Sequence, residues 1–282
     1  MRNLSKSALE IIRLINKLPS VVFPWPDLLN LHQKQTFHSE SLFSYNNLNM
    51  RSRFTSALRR SGRFHLFIIS LMLMSFTIQS TKPVRIVFFG DSITQMGNDA
   101  GGYIDLMRQE ISNKGMNDRY DLIGAGIGGN KVYDLYLRLE EDVLVHKPDM
   151  VFIFIGVNDV WHKMWGTGTD ADKFERFYLA LIRKIKTAGA DVALCTPAVI
   201  GEHTDYTNQL DGDLNRYSQI IRKLAGDEHC KLIDLRRIFL DYNLRNNPDN
   251  LDKGILTTDG VHLNDKGNRL VAETFLSEIF PK

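Results

Sequence analysis

Residues 84–94 read VRIVFFGDSIT, and the architecture of the rest of the chain can be traced outward from them. Val84 to Phe89 are mostly β-branched or aromatic, a composition typical of a short buried strand that ends at Gly90. Ser92 follows in a tight turn. In a parallel sheet, ligands bind beyond the carboxyl ends of the strands. The stretch therefore predicts a strand followed at once by a position where chemistry is expected.

Strand-like and helix-like segments alternate from here to the end of the chain. Short apolar runs predict four further strands, at 120–124, 150–155, 192–196 and 231–234. Apolar residues at helical spacing predict helices at 103–113, 131–145, 173–188, 214–225 and, after an N-cap at Asn264, up to Phe280. Such alternation predicts an α/β fold, with a five-stranded parallel sheet, helices on both faces and right-handed crossovers.

The net charge of the 282-residue chain is +2, but the charge is unevenly distributed. Residues 1–82 carry eleven Lys or Arg and three Asp or Glu, whereas residues 83–282 carry 24 basic and 30 acidic residues. Because phosphate binding needs clustered Lys and Arg, the acidic body argues against nucleic acid as a partner. The two cysteines, Cys195 and Cys230, lack the spacing of a zinc site, and a disulfide between them is left open.

The basic front of the chain divides into two segments. Residues 1–63 show no sustained periodicity and are predicted to be disordered or a mis-assigned N-terminal extension. Residues 64–80 place an apolar run between the basic stretch 51–63 and small polar residues, which is the pattern of a secretory signal peptide. If translation started at Met50, this signal peptide would have the usual length. The alternative is an uncleaved membrane anchor, and membrane contact is expected only through this segment. Both interpretations place a domain at 81–282 outside the cytoplasm, periplasmic or secreted.

Four short blocks carry the candidate chemistry. The first is Gly90-Asp91-Ser92, a common turn that is weak evidence by itself. The second, Gly124–Asn130, contains four glycines that let the backbone approach a ligand and present N–H groups. Its sequence satisfies GxGxxG, but it follows the second predicted strand rather than the first, which argues against a dinucleotide site.

The other two blocks each allow two interpretations. Asn158 follows the third predicted strand, where a buried amide is costly unless hydrogen-bonded; it is either an oxyanion donor or part of an Asx turn. Asp259 and His262 lie three residues apart before the last helix. This spacing places a carboxylate beside an imidazole, as serine hydrolases require, and the alternative is a surface turn with an incidental histidine.

Together the blocks supply a nucleophile, a base, a residue that orients the base and donors for an oxyanion, all at one edge of one sheet. In order and spacing they resemble the GDSL/SGNH hydrolases, which have an early Gly-Asp-Ser, a glycine in a second block, Gly-x-Asn-Asp and a late Asp-x-x-His. Ile93 replaces the leucine of the family name, and Asn130 stands where aspartate is frequent. The resemblance covers residues 83–282.

The resemblance implies a flavodoxin-like, three-layer α/β/α sandwich and a serine ester hydrolase that needs no cofactor and no metal. Ser92 is then the nucleophile, His262 its base and Asp259 the residue that holds His262. The amides of Ser92 and Gly129, with the side chain of Asn158, would form the oxyanion hole.

The expected substrate is a small-molecule or carbohydrate ester from which a small acyl group, acetyl, is removed. Trp161 and Trp165 follow the third block and suit a sugar ring as an aromatic wall, unless they only cap the core. Asp91 and, in the polar segment 197–213, Glu202 are expected to contact the substrate. The alternatives are a lysophospholipase or thioesterase for longer acyl chains and a non-catalytic binding module.

Overall fold

The structure is a computed structural model that describes residues 82–280. The segments interpreted as an N-terminal extension and as a signal peptide or anchor, 1–63 and 64–80, lie outside the described residues. Within 82–280, no helix combines the length and apolar character needed to cross a membrane. Cys195 and Cys230 are both free thiols.

The five predicted strands form one parallel sheet. In chain order they are β1 (Val84–Gly90), β2 (Tyr120–Gly126), β3 (Met150–Phe154), β4 (Asp191–Cys195) and β5 (Lys231–Ile233). Across the sheet the order is β2-β1-β3-β4-β5, the flavodoxin-like arrangement. Gly90 at the end of β1 pairs with Gly126 of β2 and with Phe154 of β3. Three strands therefore end side by side.

Residues 82–280 contain eight α-helices: α1 (Ser92–Gly97), α2 (Tyr103–Asn113), α3 (Val132–Asp142), α4 (Val157–Trp161), α5 (Ala171–Thr187), α6 (Asp211–Asp227), α7 (Leu235–Asn246) and α8 (Asp265–Ile279). The helix predicted at 131–145 is shorter, because the chain leaves α3 at Asp142 and forms the separate 3-10 turn Leu144–His146. Asn264 caps α8 as predicted, accepting the amides of Lys266 and Gly267. The sequence did not indicate α7, whose buried face includes the polar residues Arg236 and Asn243.

Alternating residues of β1 separate two hydrophobic cores. Ile86 and Phe88 lie in a core covered by α2, α7 and α8, where Phe88 contacts the rings of Tyr103 and Phe275. Val87 and Phe89 point to the opposite face, into a core covered by α3, α5 and α6. A strand buried on both faces is typical of a parallel sheet between two helical layers, and the predicted α/β/α sandwich is confirmed.

Close backbone contact fixes α1 against the sheet. A Cβ added to Gly126 would lie 2.1 Å from the backbone nitrogen of Gln95, which no side chain could tolerate. Gly126 at the end of β2 thus lets the short helix that begins with Ser92 rest directly on the sheet.

Candidate active site

Ser92 is the first residue of α1, directly beyond the end of β1. The preceding residue, Asp91, caps this helix by accepting the amide N–H of Ile93 at 3.0 Å. Because α1 starts at the serine, its hydroxyl stands at the sheet edge where ligands bind.

His262 and Asp259 lie beside Ser92, although His262 is 170 residues away in sequence. The His262 Nε2 atom is 3.0 Å from Ser92 Oγ, and its Nδ1 atom is 2.7 Å from Asp259 Oδ2. A carboxylate can only accept, so Nδ1 carries the proton and Nε2 is left to accept from the serine hydroxyl. These are the distances that proton transfer between a nucleophile and a base requires.

The carboxyl group of Asp259 is arranged to stay ionised. Partial burial acts to raise its pKa, but the hydrogen bonds from the His262 ring and from the backbone amides of His262 and Val261 outweigh that effect and hold the pKa below the usual value. Its Oδ1 atom accepts these amides at 2.8 and 3.0 Å. The same carboxylate therefore orients the imidazole and fixes the turn that carries it.

Glu202, which the sequence predicted to contact the substrate, has a different place in the structure. Its side chain is fully buried and accepts three successive backbone amides, those of Ile255, Leu256 and Thr257, at 2.7–3.1 Å. The Thr257 hydroxyl in turn accepts the amide of Gly260 at 3.0 Å. A carboxylate without access to solvent cannot bond sugar hydroxyls, so the prediction was wrong: Glu202 supports the segment that leads into Asp259.

The glycine-rich loop after β2 lies against Ser92. The amide of Gly128 donates to Gln95 Oε1 at 2.7 Å, and a Cβ on Gly128 would be 3.8 Å from Ser92 Cβ. Gly129 has a φ of 76°, the left-handed region that favours glycine. Among residues 82–280 the amides of Ser92 and Gly129 have no hydrogen-bond partner, so both are available to a ligand.

Asn158 also contacts this loop. It lies in the first turn of α4 and is almost fully buried, and its Nδ2 donates to the backbone oxygen of Asn130 at 3.1 Å. A primary amide has two N–H groups, so one remains for a ligand. The structure thus brings Ser92, Gly129, Asn158 and the Asp259–His262 pair to one edge of the sheet.

Comparison with known proteins now identifies the family. The family model described as GDSL-like Lipase/Acylhydrolase family matches residues 88–270, well over half of the chain. This chain belongs to that family. It is a carboxylic ester hydrolase.

This GDSL-like hydrolase matches solved and curated relatives over nearly the whole length of each relative. A crystal structure of an acetyl xylan esterase is 62% identical and covers 70% of this chain and 100% of that one, with a TM-score of 0.69. The acetylxylan esterase of Geobacillus stearothermophilus is 28% identical over 216 residues, 69% of this chain and 93% of its own length. An uncharacterized lipoprotein of Bacillus subtilis is 26% identical over 232 residues, 73% of this chain and 95% of its own.

Trp161 and Trp165, which were expected to form an aromatic wall in this GDSL-like hydrolase, differ in exposure. Trp161 ends α4 and packs against the core, whereas Trp165, in the 3-10 turn His162–Trp165, is 58% exposed. Their ring centroids are 5.6 Å apart. Trp161 therefore caps the core on one side while Trp165 presents an aromatic face to solvent.

Asp91 was also expected to contact the substrate, and that prediction was wrong. Its side chain is only 1% exposed and serves as the cap of α1. Burial, together with a smaller contribution from the neighbouring carboxyl group of Asp159, raises its pKa to about 7, against the hydrogen bond from Ile93 that lowers it. Asp159 accepts the amide of Val132 at 3.1 Å, and burial raises its pKa likewise to about 7. Two carboxyl groups thus lie buried directly behind the site.

Two side chains that the sequence analysis did not single out also contact the blocks. Gln95 holds Gly128, as described above, and Arg138 of α3 reaches Gly90 and Asn130. The available signal for Arg138 was its position next to Leu139 and three residues after Leu135, beside the apolar stripe of α3. No motif marked either residue.

The buried carboxyl group of Asp159 should make the free energy of unfolding depend on pH. In the native state it keeps its proton up to about pH 7, whereas in the unfolded chain it ionises near 3.8. Between these values the native state binds more protons, so its stability falls as the pH rises. Asp159→Asn cannot ionise, and we expect it to gain at least about 1 kcal/mol relative to wild type between pH 5 and pH 8 in urea unfolding.

Asp172→Asn is the matched control, because Asp172 is exposed in the first turn of α5. The difference in free energy of unfolding between Asp172→Asn and wild type should be the same at pH 5 and at pH 8. An Asp159→Asn difference that is also independent of pH would contradict the buried, protonated carboxyl group.

Proposed function

We propose that Ser92 is the nucleophile of this hydrolase, with His262 as its base and Asp259 as the residue that orients the base. The observation that carries the proposal is the continuous hydrogen-bonded path from Ser92 Oγ to His262 Nε2, 3.0 Å, and from His262 Nδ1 to Asp259 Oδ2, 2.7 Å. Acyl transfer is the reaction that typically requires a serine, a histidine and a carboxylate hydrogen-bonded in this order.

In the proposed reaction Ser92 Oγ attacks the ester carbonyl while His262 Nε2 takes the hydroxyl proton. The tetrahedral intermediate collapses, the alcohol leaves with the proton from His262, and the acyl group stays on Ser92. Water then attacks the acyl-enzyme, again giving its proton to His262, and releases the acid and the free serine. Asp259 stabilises the imidazolium each time it forms.

We propose that three donors stabilise the oxyanion: the amides of Ser92 and Gly129 and the side chain of Asn158. The proposal is supported by the two amides that lack a partner within 82–280 and by the second N–H of the Asn158 amide. Donors fixed before the reaction are worth about 3 kcal/mol each in the transition state.

We propose acetylated carbohydrates as the substrate class, with acetyl as the acyl group. The solved relative at 62% identity and the Geobacillus stearothermophilus relative are both acetylxylan esterases. The exposed ring of Trp165, supported from behind by Trp161, has the flat apolar face that stacks on a sugar ring.

Replacing the proposed nucleophile tests the mechanism. Ser92→Ala removes one partly exposed hydroxyl and should leave the free energy of unfolding within about 0.5 kcal/mol of wild type. Hydrolysis of p-nitrophenyl acetate should fall by about 10⁴-fold or more, since the remaining donors cannot replace a nucleophile. A phosphonate inhibitor should add one label to wild type, at Ser92 by mass spectrometry, and a fully labelled Ser92→Ala protein would exclude this serine.

Trp165→Ala tests the substrate class, because its exposed ring can be removed without opening the core. We expect KM for an acetylated xylo-oligosaccharide to rise several-fold while KM for p-nitrophenyl acetate changes less than twofold. Leu137→Ala, which removes another exposed apolar side chain, serves as control and should affect neither substrate. Equal effects of Trp165→Ala on both substrates, or faster turnover of decanoyl than of acetyl esters, would argue against the carbohydrate proposal.

We propose that the domain acts outside the cytoplasm. Support comes from the basic-then-apolar pattern of residues 51–80 and from the similarity of the body to the Bacillus subtilis lipoprotein. Expressed from Met50 in a bacterial host, the protein should be found outside the cytoplasm with a mature N-terminus near residue 81 by mass spectrometry. An intact segment 64–80 in the membrane fraction would indicate the anchor instead, and an uncleaved protein in the cytosol would refute export.

A further inference from the structure

Arg138 is the most extensively hydrogen-bonded side chain near the proposed site. Its guanidinium group donates to Asn130 Oδ1 at 2.8 Å, to the backbone oxygen of Gly90 at 2.8 Å and to that of Ala125 at 3.1 Å. A fourth contact, to Asp142 Oδ2 at 2.7 Å, lies within α3 itself. The side chain is only 13% exposed, and its guanidinium carbon lies 4.6 Å from the centre of the Phe89 ring.

The three contacts outside α3 all fall next to groups of the proposed mechanism. Gly90 is the second residue before Ser92. Ala125 belongs to the end of β2, from which the glycine-rich loop departs, and Asn130 follows Gly129 directly. A planar guanidinium group has five donors in a fixed geometry, so one side chain can hold all three segments at set distances from one another.

Asn130 extends this connection to the third oxyanion donor. Its side-chain oxygen accepts from Arg138 Nε, while its backbone oxygen accepts from Asn158 Nδ2 at 3.1 Å. Asn130 therefore links Arg138 to Asn158 by hydrogen bonds. It also links Arg138 to Gly129, the residue that precedes it in the chain. Stacking on the buried Phe89 ring ties the guanidinium group to the rigid sheet.

We propose that Arg138 is a positioning residue that sets the geometry of the oxyanion donors by fixing the Gly129–Asn130 segment against the end of β1. The inference rests on the proposed function of Gly129 and Asn158. Arg138 itself has no contact with the reacting atoms in this proposal. Displacement of donors by about 1 Å can cost about 100-fold in rate, so loss of the guanidinium group should act on the transition state more than on substrate binding.

The experiment measures turnover per titrated active site in Arg138→Met. A p-nitrophenyl phosphonate, allowed to react to completion, counts the Ser92 hydroxyls that are competent, and kcat is expressed per competent site. We expect kcat for p-nitrophenyl acetate to fall 10- to 100-fold with KM within about twofold, measured well below the melting temperature of the variant. Asp142→Ala removes only the contact inside α3 and should retain kcat within twofold.

Asn130→Ala is the second variant, in case Arg138→Met does not fold. It removes the side-chain link to Arg138 but keeps the backbone oxygen that Asn158 needs, and it should lower kcat several-fold. Combined with Asn158→Ala, either variant should lose less than the product of the two single losses, because part of its effect passes through Asn130 to the Asn158 amide.

A lower melting temperature with an unchanged kcat per competent site in both variants would show a purely structural role and overturn the inference. Losses that multiply independently with Asn158→Ala would also overturn it. Failure of the proposed function is recognised separately: the wild-type protein would then hydrolyse no ester and take up no phosphonate at Ser92.

Discussion

The backbone pairing that aligns the carboxyl ends of β1, β2 and β3 is the constraint on which the site depends. Gly90 stands opposite Gly126 on one side and opposite Phe154 on the other, so the turns that follow the three strands begin at one level. A Cβ on Gly90 would lie 2.4 Å from the Phe154 backbone oxygen. A register slip of one residue would exchange the two faces of β1 and move Ser92 away from its partners.

Buried polar side chains near this edge hold loops and helix starts in place, a role that the sequence does not indicate. Glu202, Asp91 and Asp159 each accept backbone amides, and each thereby connects a loop to a helix start or to a neighbouring loop. Arg138 does the converse and donates to backbone oxygens. Since an unsatisfied buried polar group costs more than an exposed one, these contacts hold the loops in a single arrangement.

The sequence predicted the layers of the fold and the residues of the proposed mechanism, because both depend on local patterns. Apolar runs marked the strands, and Ser92, Asn158 and His262 stood at strand ends or before the last helix. It did not predict the burial of Asp91 and Glu202, both of which were expected to contact the substrate. Their burial depends on contacts with segments distant in sequence, such as the amides of residues 255–257 that surround Glu202. The role of Arg138 could not be predicted for the same reason, since two of its four partners are backbone oxygens, which carry no residue signature.

In the proposed site, the base and the oxyanion donors are each held by a different buried polar side chain, and this arrangement has a physical reason. The base must keep one orientation through every proton transfer of both half-reactions, and the buried carboxylate of Glu202 fixes the segment that leads to Asp259. The oxyanion donors must match a charge that exists only in the transition state, and the contacts of Arg138 fix their loop. Replacing buried charged groups by apolar residues of similar volume is often neutral or stabilising in proteins, since burying charge is costly. Such replacements at these positions would also release the loops. Retaining polar side chains behind the site is therefore best understood as stability given up for a fixed geometry at Ser92, the relation expected where activity requires preorganisation.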